Sequence, residues 1–548
     1  MHSKKYVKRS VLFLSFSLLF AMIISYGCSD SGPEKPPSGF GIGLTNSKDK
    51  LAPTDAKIIA QSPTDVRKIE VELSAKDDVG IVGYCLSEDA NALSGAACSS
   101  VQSTVDLKTK VPFDLSAGAG SKKIYARFMD AGGNGTNAEV TVELKWIGIK
   151  QIGSDVEDLV GGIDVDDSGN VYVVGTTLGK VGNKTAGKYD IFIAKYDNSG
   201  NVVWLEQIGS DKYDWGNDIV VFGDSLYIVG STYGDLDTGG YKKDPGDVMD
   251  AVVMKYTTGG KQLWVKQITS SDHKADAGRA IAVDPNENIY ITGYSEGQIY
   301  YTLAGQPFLQ PNKGGRDILL AKCNSSGACE EKDMRLYGST GKEEGNDIAL
   351  SNNGDIFVTG FKEVAIPQNP ILTKIVVDKW APDLSFQKEI QLTGVGMVDD
   401  MASAIAFSTK LNSVVVSGQM GSKSYIIELD PALNPGVPKL LFANEQEGSA
   451  NDIAIDNANF YITGYTAGAS FGQNYGGKDM YLIKWINGMT DWQIRLGSSN
   501  DDSGNALARD KNGNLFVFVQ SSGDFNGLKN VGVSDAFIVK VDAKGNLQ

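Results

Sequence analysis

The chain has 548 residues and a net charge of −16, from 51 Lys and Arg against 67 Asp and Glu. An acidic balance of this size argues against nucleic acid or anionic lipid as an electrostatic partner. Of its two histidines only His273 lies outside the N-terminal leader, so a Ser-His-Asp triad or a multi-histidine metal site lacks its residues.

Residues 1–27 read as an export signal. Lys4, Lys5, Lys8 and Arg9 precede an apolar stretch over 11–26, shorter than the roughly 20 residues of a spanning helix. It ends in Ser25-Tyr26-Gly27-Cys28, which resembles a bacterial lipobox. The resemblance implies cleavage before Cys28 and lipidation of Cys28; Ser25 and Tyr26 depart from the usual pattern, and an ordinary cleaved signal or an N-terminal anchor is the alternative. Removing residues 1–27 takes the charge from −16 to −20. Residues 28–50, rich in Ser, Gly, Pro and Lys, read as a flexible tether.

Residues 51–145 carry apolar runs at 66–75, 79–87, 122–129 and 138–145, with Asp130-Ala131-Gly132-Gly133-Asn134-Gly135 as a turn. They predict a small β-sandwich. Segment 120–134 resembles the closing strand and turn of bacterial immunoglobulin-like domains, which implies a spacer. Cys85 and Cys98 are close in sequence, and Cys323 and Cys329 flank a short turn. Two local disulfides in an oxidising compartment are expected. Neither pair has CxxC spacing or a nearby histidine, and no metal site is expected from them.

Residues 146–548 repeat one pattern seven times at intervals of roughly 45 to 70 residues, the regime of solenoids and propellers. Each unit holds four strand candidates. Gly345-Asn346-Asp347-Ile348-Ala349-Leu350 is a small-residue first strand. Val171-Tyr172-Val173-Val174-Gly175 is a second, Asp190-Ile191-Phe192-Ile193-Ala194-Lys195 a third, and Val203-Trp204-Leu205-Glu206-Gln207-Ile208-Gly209-Ser210 a fourth. Turns such as Asp167-Ser168-Gly169-Asn170 separate them. The last unit lacks its tryptophan strand, and residues 145–154, with Trp146, supply one. These features predict an all-β chain, a seven-bladed propeller closed by an N-terminal strand and preceded by the sandwich. The turn, Tyr-x-x-Gly strand, Asp-to-Lys strand and Ser199-Gly200-Asn201-Val202-Val203-Trp204 together resemble the bacterial SBBP β-propeller repeats. That resemblance implies an extracytoplasmic protein, often a lipoprotein, with no defined activity.

No catalytic residue, cofactor or metal ligand is expected. The Asp and Lys of the third strand point to opposite faces and read as structural. Asp164-Val165-Asp166-Asp167-Ser168-Gly169-Asn170 lacks the glutamate that completes an EF-hand and reads as a hairpin turn. The loops entering the first strands are acidic, and they share one face with long loops between second and third strands. The loop over 295–316 carries Tyr300, Tyr301 and Phe308, the candidate binding residues. The function expected is a non-enzymatic, lipid-anchored outer-membrane or surface protein whose propeller binds a protein or glycan. An envelope assembly scaffold is the alternative. A lyase or hydrolase in the central opening ranks third, and converging carboxylates near the axis would favour it.

Overall fold

The computed structural model describes residues 49–548 except 63, 65–67, 94–97, 116–119, 145–147, 183–186, 238–247, 304–305, 366–370, 394–398, 443–445 and 469. Cys28, most of the tether and Trp146 lie outside the described residues. No helix among the described residues is long and apolar enough to cross a membrane.

The first five strands are β1 (Thr54–Ala60), β2 (Lys68–Ser87), β3 (Cys98–Asp114), β4 (Gly120–Asp130) and β5 (Gly135–Leu144). They form one antiparallel sheet in the order β1-β2-β4-β5, with β3 also paired to β2. β2 runs unbroken where the sequence pattern predicts two runs. Its register shifts between Lys76 and Ile81, and Gly80 there takes φ +104°. A side chain at Gly80 would also meet Ser103 Oγ at 2.3 Å. The strand therefore bends without ending. Its first half pairs with β1 and β3, its second with β3 and β4. β3 has no apolar period, and Leu107 is its one buried residue, so the sequence pattern misses it. The Cys85–Cys98 disulfide ties β2 to β3.

Seven four-stranded antiparallel sheets follow among the described residues. Sheet 1 comprises Asp158–Val165, Val171–Thr177, Asp190–Tyr196 and Val202–Ile208. The other sheets repeat its order, and the first strand of each packs on the first strand of the next. The last sheet packs back onto sheet 1: Phe516, Phe518 and Ile538 share a core with Val171, Val173 and Phe192. Its fourth strand comes from the start of the repeat region. β6 (Lys150–Ile152) pairs with Asp535–Val541 through Ala536↔Ile152, Phe537↔Gln151 and Ile538↔Lys150.

Stacking sheet on sheet explains the sequence pattern. The second strand Val171–Thr177 is buried throughout, because neighbouring sheets cover both its faces. Such strands read as continuous apolar runs rather than alternating ones. The fourth strand Val202–Ile208 is largely exposed and tolerates polar residues.

The recurrent polar residues build the junctions. In sheet 1, Gln207 Nε2 donates to Asp190 Oδ2 at 2.8 Å, tying fourth strand to third. Ser210 then donates to Asp214 through its amide at 2.7 Å and its hydroxyl at 2.9 Å. Asp214 opens the first strand of sheet 2 and is fully buried. Between them Gly209 leaves room: a Cβ would sit 2.1 Å from Asp190 Oδ1. The Gln-Ile-Gly-Ser sequence is thus a latch joining three strands across a junction. Ser154 with Asp158 and Ser498 with Asp502 repeat it.

On the opposite face Trp204 Nε1 donates to Thr258 O at 3.2 Å, and Trp264 Nε1 to Ser325 O at 3.2 Å. Each tryptophan lies against the Gly turn of the next sheet, where a Cβ on Gly260 or Gly327 would meet the ring at 3.1 or 2.9 Å. The third-strand lysine lies over the second-strand tyrosine directly opposite it, as Lys195 does over Tyr172 at 5.1 Å. The Asp-x-x-Gly-Asn turns are internally bonded. Asp166 accepts the Ser168 and Asn170 amides at 2.9 Å each and the Asn170 side chain at 2.7 Å.

We expect Gly209→Ala to lower stability by about 1–3 kcal/mol, the usual range for overpacking. Gly182→Ala, whose new Cβ would have no neighbour closer than 3.7 Å, should be near neutral. Denaturant unfolding of the two variants beside the parent protein tests this; equal losses would refute the latch.

Candidate functional site: the channel and its mouth

The first strands line the central channel, and each has a register shift that inserts a bulge. After the bulge, Asp218, Asp347 and Asp452 stand in sheets 2, 4 and 6, where sheets 3, 5 and 7 place Ala280, Ala404 and Ala506. Each aspartate accepts its own neighbour's amide and one from the next sheet. Asp218 accepts Ile281 N at 3.0 Å, Asp347 accepts Ile405 N at 2.7 Å and Asp452 accepts Leu507 N at 2.6 Å. The preceding asparagines bond the same neighbours: Asn217 donates to Gly278 O at 2.6 Å and Asn346 to Ala402 O at 2.7 Å. In sheet 1 the bulge is longer, and Asp164, two positions further on, accepts Val221 N at 2.8 Å.

These four carboxylates keep partial exposure to the channel, yet their surroundings hold them neutral more readily than water would. Burial pushes Asp218 and Asp347 up to about 8, with Asp347 acting on Asp218 and Asp452 on Asp347. Burial likewise raises Asp452 to about 7 and Asp164 to about 6. Asp276 and Asp502, latch acids, are raised by burial to about 7 and about 6.

The acids entering the first strands divide into a buried set and an exposed set. Asp158, Asp214, Asp276, Glu343, Asp400 and Asp502 are buried; their neighbours Asp155, Asp211, Asp272, Asp399 and Asp501 are the exposed ones. His273 is exposed in its loop.

Around the mouth, the first-strand residue in the second-to-last ladder pair before each bulge varies: Leu159, Trp215, Ala277, Glu344, Met401, Ser449 and Ser503. Trp215 anchors a partly exposed aromatic cluster. Tyr213 stacks on it at 5.7 Å and 11°, Tyr233 meets it edge-on at 5.7 Å, and Tyr189 lies 5.9 Å from Tyr213. Lys188 Nζ sits 4.3 Å over Tyr213, and Tyr189 donates its hydroxyl to Glu157. Backbone bonds join the three segments that carry these rings: Asp214 N to Tyr189 O and Tyr233 N to Tyr213 O, both 2.9 Å.

Further round, Arg279 Nε and Arg316 Nη1 both donate to the buried Glu344, at 2.6 and 3.1 Å, and Arg316 covers Tyr294 at 4.0 Å. Across sheets 5 to 7 a cavity of about 510 Å³ is lined by Ser403, Asn451, Lys478, Asp501, Ser503 and Asn505. A larger one, about 720 Å³, opens on the opposite face between sheets 5 and 6. There the fourth strand of sheet 5 is cut to Lys439–Leu440. It belongs to a degenerate repeat and holds none of the mouth residues.

The 295–316 loop does not simply project from the mouth. Ile299–Leu303 and Gln306–Gln310 form a hairpin in which Tyr301 pairs with Phe308 and Tyr300 with Leu309. Ile299 is buried with Leu336 and Cys323, and Leu336 N donates to Gln310 Oε1 at 3.1 Å. The hairpin thus covers the outer edge of sheet 3, a common protection for an edge strand. The side chains of Tyr300, Tyr301 and Phe308 lie outside what is described. The second disulfide, Cys323–Cys329, closes the neighbouring turn. Two disulfides mark an extracytoplasmic protein. The cluster at Trp215 escaped the sequence reading, although its signal was present: aromatic residues immediately flank Asp190 and Asp214.

Residues 263–301 carry the SBBP β-propeller repeat. The match runs from a tryptophan strand, through the junction latch, into the next sheet. Among curated proteins the chain is 25% identical over 435 residues to an uncharacterized WD repeat-containing protein of Acanthamoeba polyphaga mimivirus, covering 67% of this chain and 30% of that one. It is 21% identical over 413 residues to the regulatory protein FlaEY of Caulobacter vibrioides, covering 71% and 39%. The chain thus spans 30% to 39% of the length of these relatives. Among solved structures it resembles an α-L-arabinanase of Penicillium chrysogenum complexed with arabinobiose, at 9% identity and TM-score 0.40, covering 61% of this chain and 97% of that one. It also resembles a Hadza microbial sialidase, at 8% identity and TM-score 0.37, covering 88% and 94%. The expectation that the chain is no enzyme is corrected here, because proteins of similar architecture include these enzymes. At these TM-scores they assign it no activity.

A carboxyl group raised in the folded state binds more protons there than in the unfolded chain, between the ordinary value near 3.8 and the folded one. Stability then falls as pH rises through that window. We expect the melting temperature to be higher at about pH 5.5 than at about pH 8. Asp218→Asn with Asp347→Asn should flatten the difference. A melting temperature that falls on acidification over this range would refute the assignment.

Proposed function

We propose that this protein is a seven-bladed β-propeller behind an immunoglobulin-like spacer, held outside the cell on lipid at Cys28. Its channel mouth binds a glycan or a protein surface. The observation that carries the binding proposal is the stacked Tyr213–Trp215 pair, flanked by Tyr189 and Tyr233 and fixed by backbone bonds between loops. Rigid aromatic rings give large contact area at low entropic cost, and Tyr and Trp dominate binding hot spots. Lys188 and Glu157 beside them supply polar contacts. The hairpin residues Tyr300, Tyr301 and Phe308 form a second contact patch in this proposal.

A second reading places acid chemistry in the channel. It is favoured by Asp218 and Asp347, whose raised values suit a proton donor near neutral pH. Both already accept two backbone amides, which favours the structural role.

On a panel of immobilised glycans and surface proteins, Trp215→Ala with Tyr213→Ala should weaken the retained ligand about tenfold or more, the loss of a hot spot. Tyr300→Ser, Tyr301→Ser and Phe308→Ser together should weaken it less. Changes at Asn198 and Ser199, in the turn on the opposite face, should have no effect. A ligand that responds only to the Asn198 and Ser199 changes would put the site on the other face. Hydrolysis of a retained glycan, lost in Asp218→Asn, would favour the second reading. For the anchor, Cys28→Ala should abolish incorporation of labelled fatty acid; equal labelling would refute it.

A further inference from the structure

The first sheet holds a carboxylate cluster that the propeller does not use. Asp49, Asp77 and Asp78 place one carboxylate oxygen each within 4.8 Å of one another. Two ligands of one calcium ion, each about 2.3–2.6 Å from it, are separated by up to about 5 Å. Asp77 is 8% exposed. Its Oδ1 accepts the Val79 and Gly80 amides at 3.0 and 2.8 Å, while its Oδ2 is buried with no hydrogen-bond partner. Asp49 repeats the arrangement: its Oδ1 accepts Leu51 N at 2.9 Å, and its Oδ2 is buried without a partner. Among the described residues no Lys or Arg forms an ion pair with any of the three.

Two unpartnered buried carboxylate oxygens beside a third acid are costly unless a cation lies between them. The neighbouring turn is built to support them. Asp130 is fully engaged, its oxygens accepting Asn134 N at 2.8 Å and Asn134 Nδ2 at 2.9 Å. The same Asn134 amide also reaches Leu51 O at 3.1 Å. The turn after β4 thereby holds the chain around Asp49 against the bend of β2.

We infer that Asp49, Asp77 and Asp78 form a calcium site at the bend of β2. All three ligands are carboxylate oxygens, which suits a hard cation. They come from two points of the chain, Asp49 and the adjacent pair Asp77-Asp78; calcium accepts an irregular oxygen shell of this kind, whereas magnesium demands a near-ideal octahedron. Carbonyls and water complete the shell. The ion would clamp the chain at residue 49, where the N-terminal segment meets the sheet. An affinity of about 10⁻⁴–10⁻³ M is expected, as for extracellular modules.

The test is calorimetric titration of the chelator-stripped full chain with calcium chloride, then with magnesium chloride. The parent protein should take up about one calcium ion per chain and show a higher onset of melting with it. Asp77→Asn should abolish uptake. Asp78 is exposed, so Asp78→Asn tests the site with little risk to folding and should weaken calcium about tenfold or more. No saturable uptake at millimolar calcium would overturn the inference, as would parent-like binding by both variants. Magnesium bound as tightly as calcium would overturn the choice of ion.

Discussion

Among the described residues, six of the seven junctions in the ring of sheets are fixed by a carboxylate that accepts a backbone amide or a serine from across the gap; between sheets 5 and 6, Ser417 Oγ donates to Ala450 O instead. Apolar packing between stacked sheets is strong but has no direction, and by itself it would let one sheet slide over the next. A hydrogen bond to a particular amide does not permit that. Asp164, Asp218, Asp347 and Asp452 each hold one amide of the next sheet. The Ser-to-Asp latches do the same nearer the mouth. Burying so many carboxylates carries a cost, visible in their raised proton affinities. The backbone bonds offset it, and the ring keeps a single register in return.

Once register is held from inside, other positions are free to differ. A buried acid opens the first strand in six of the seven sheets, where sheet 6 has the partly exposed Glu447, and the residue after the buried acid ranges from Ala277 to Trp215 and Glu344. That second position rims the mouth. A scaffold with uniform junctions and a varied rim can acquire a binding surface without disturbing its core. The opposite face is occupied by Asp-to-Asn turns and tryptophans that serve the junctions. Sheet 5 is the exception, since its shortened fourth strand leaves a groove there.

The architecture was legible because its strongest signals are local. The Tyr-x-x-Gly strand, the Asp-to-Lys strand, the Gly-Asn turns and both disulfide pairs can each be read within a few residues, and the structure contains them. The closing strand was also legible: among the described residues of the expected 145–154, Lys150–Ile152 pair as strand. Signals that depend on distance were lost. β3 is mostly exposed and shows no apolar period, and the bend at Gly80 made one strand look like two. Asn217-Asp218, Asn346-Asp347 and Asn451-Asp452 repeat in alternate units, but only their partners in the next sheet show what they do. The acids before the first strands looked like a charged surface because sequence does not reveal that Ser210 reaches Asp214. The 295–316 loop showed its aromatic residues but not its path, because nothing local shows it folding into a hairpin along the edge of sheet 3.

The central claim is that single carboxylates lock adjacent sheets, and hydrogen exchange at individual amides tests it most directly. In the parent protein the amides of Val221, Ile281, Ile405 and Leu507 should exchange as slowly as amides paired within the sheets. In Asp218→Ala the amides of Ile281 and Ile219, both bonded to that carboxylate, should become fast, with Ile405 and Leu507 unchanged. Fast exchange at Ile281 in the parent protein, or no change in the variant, would contradict the account.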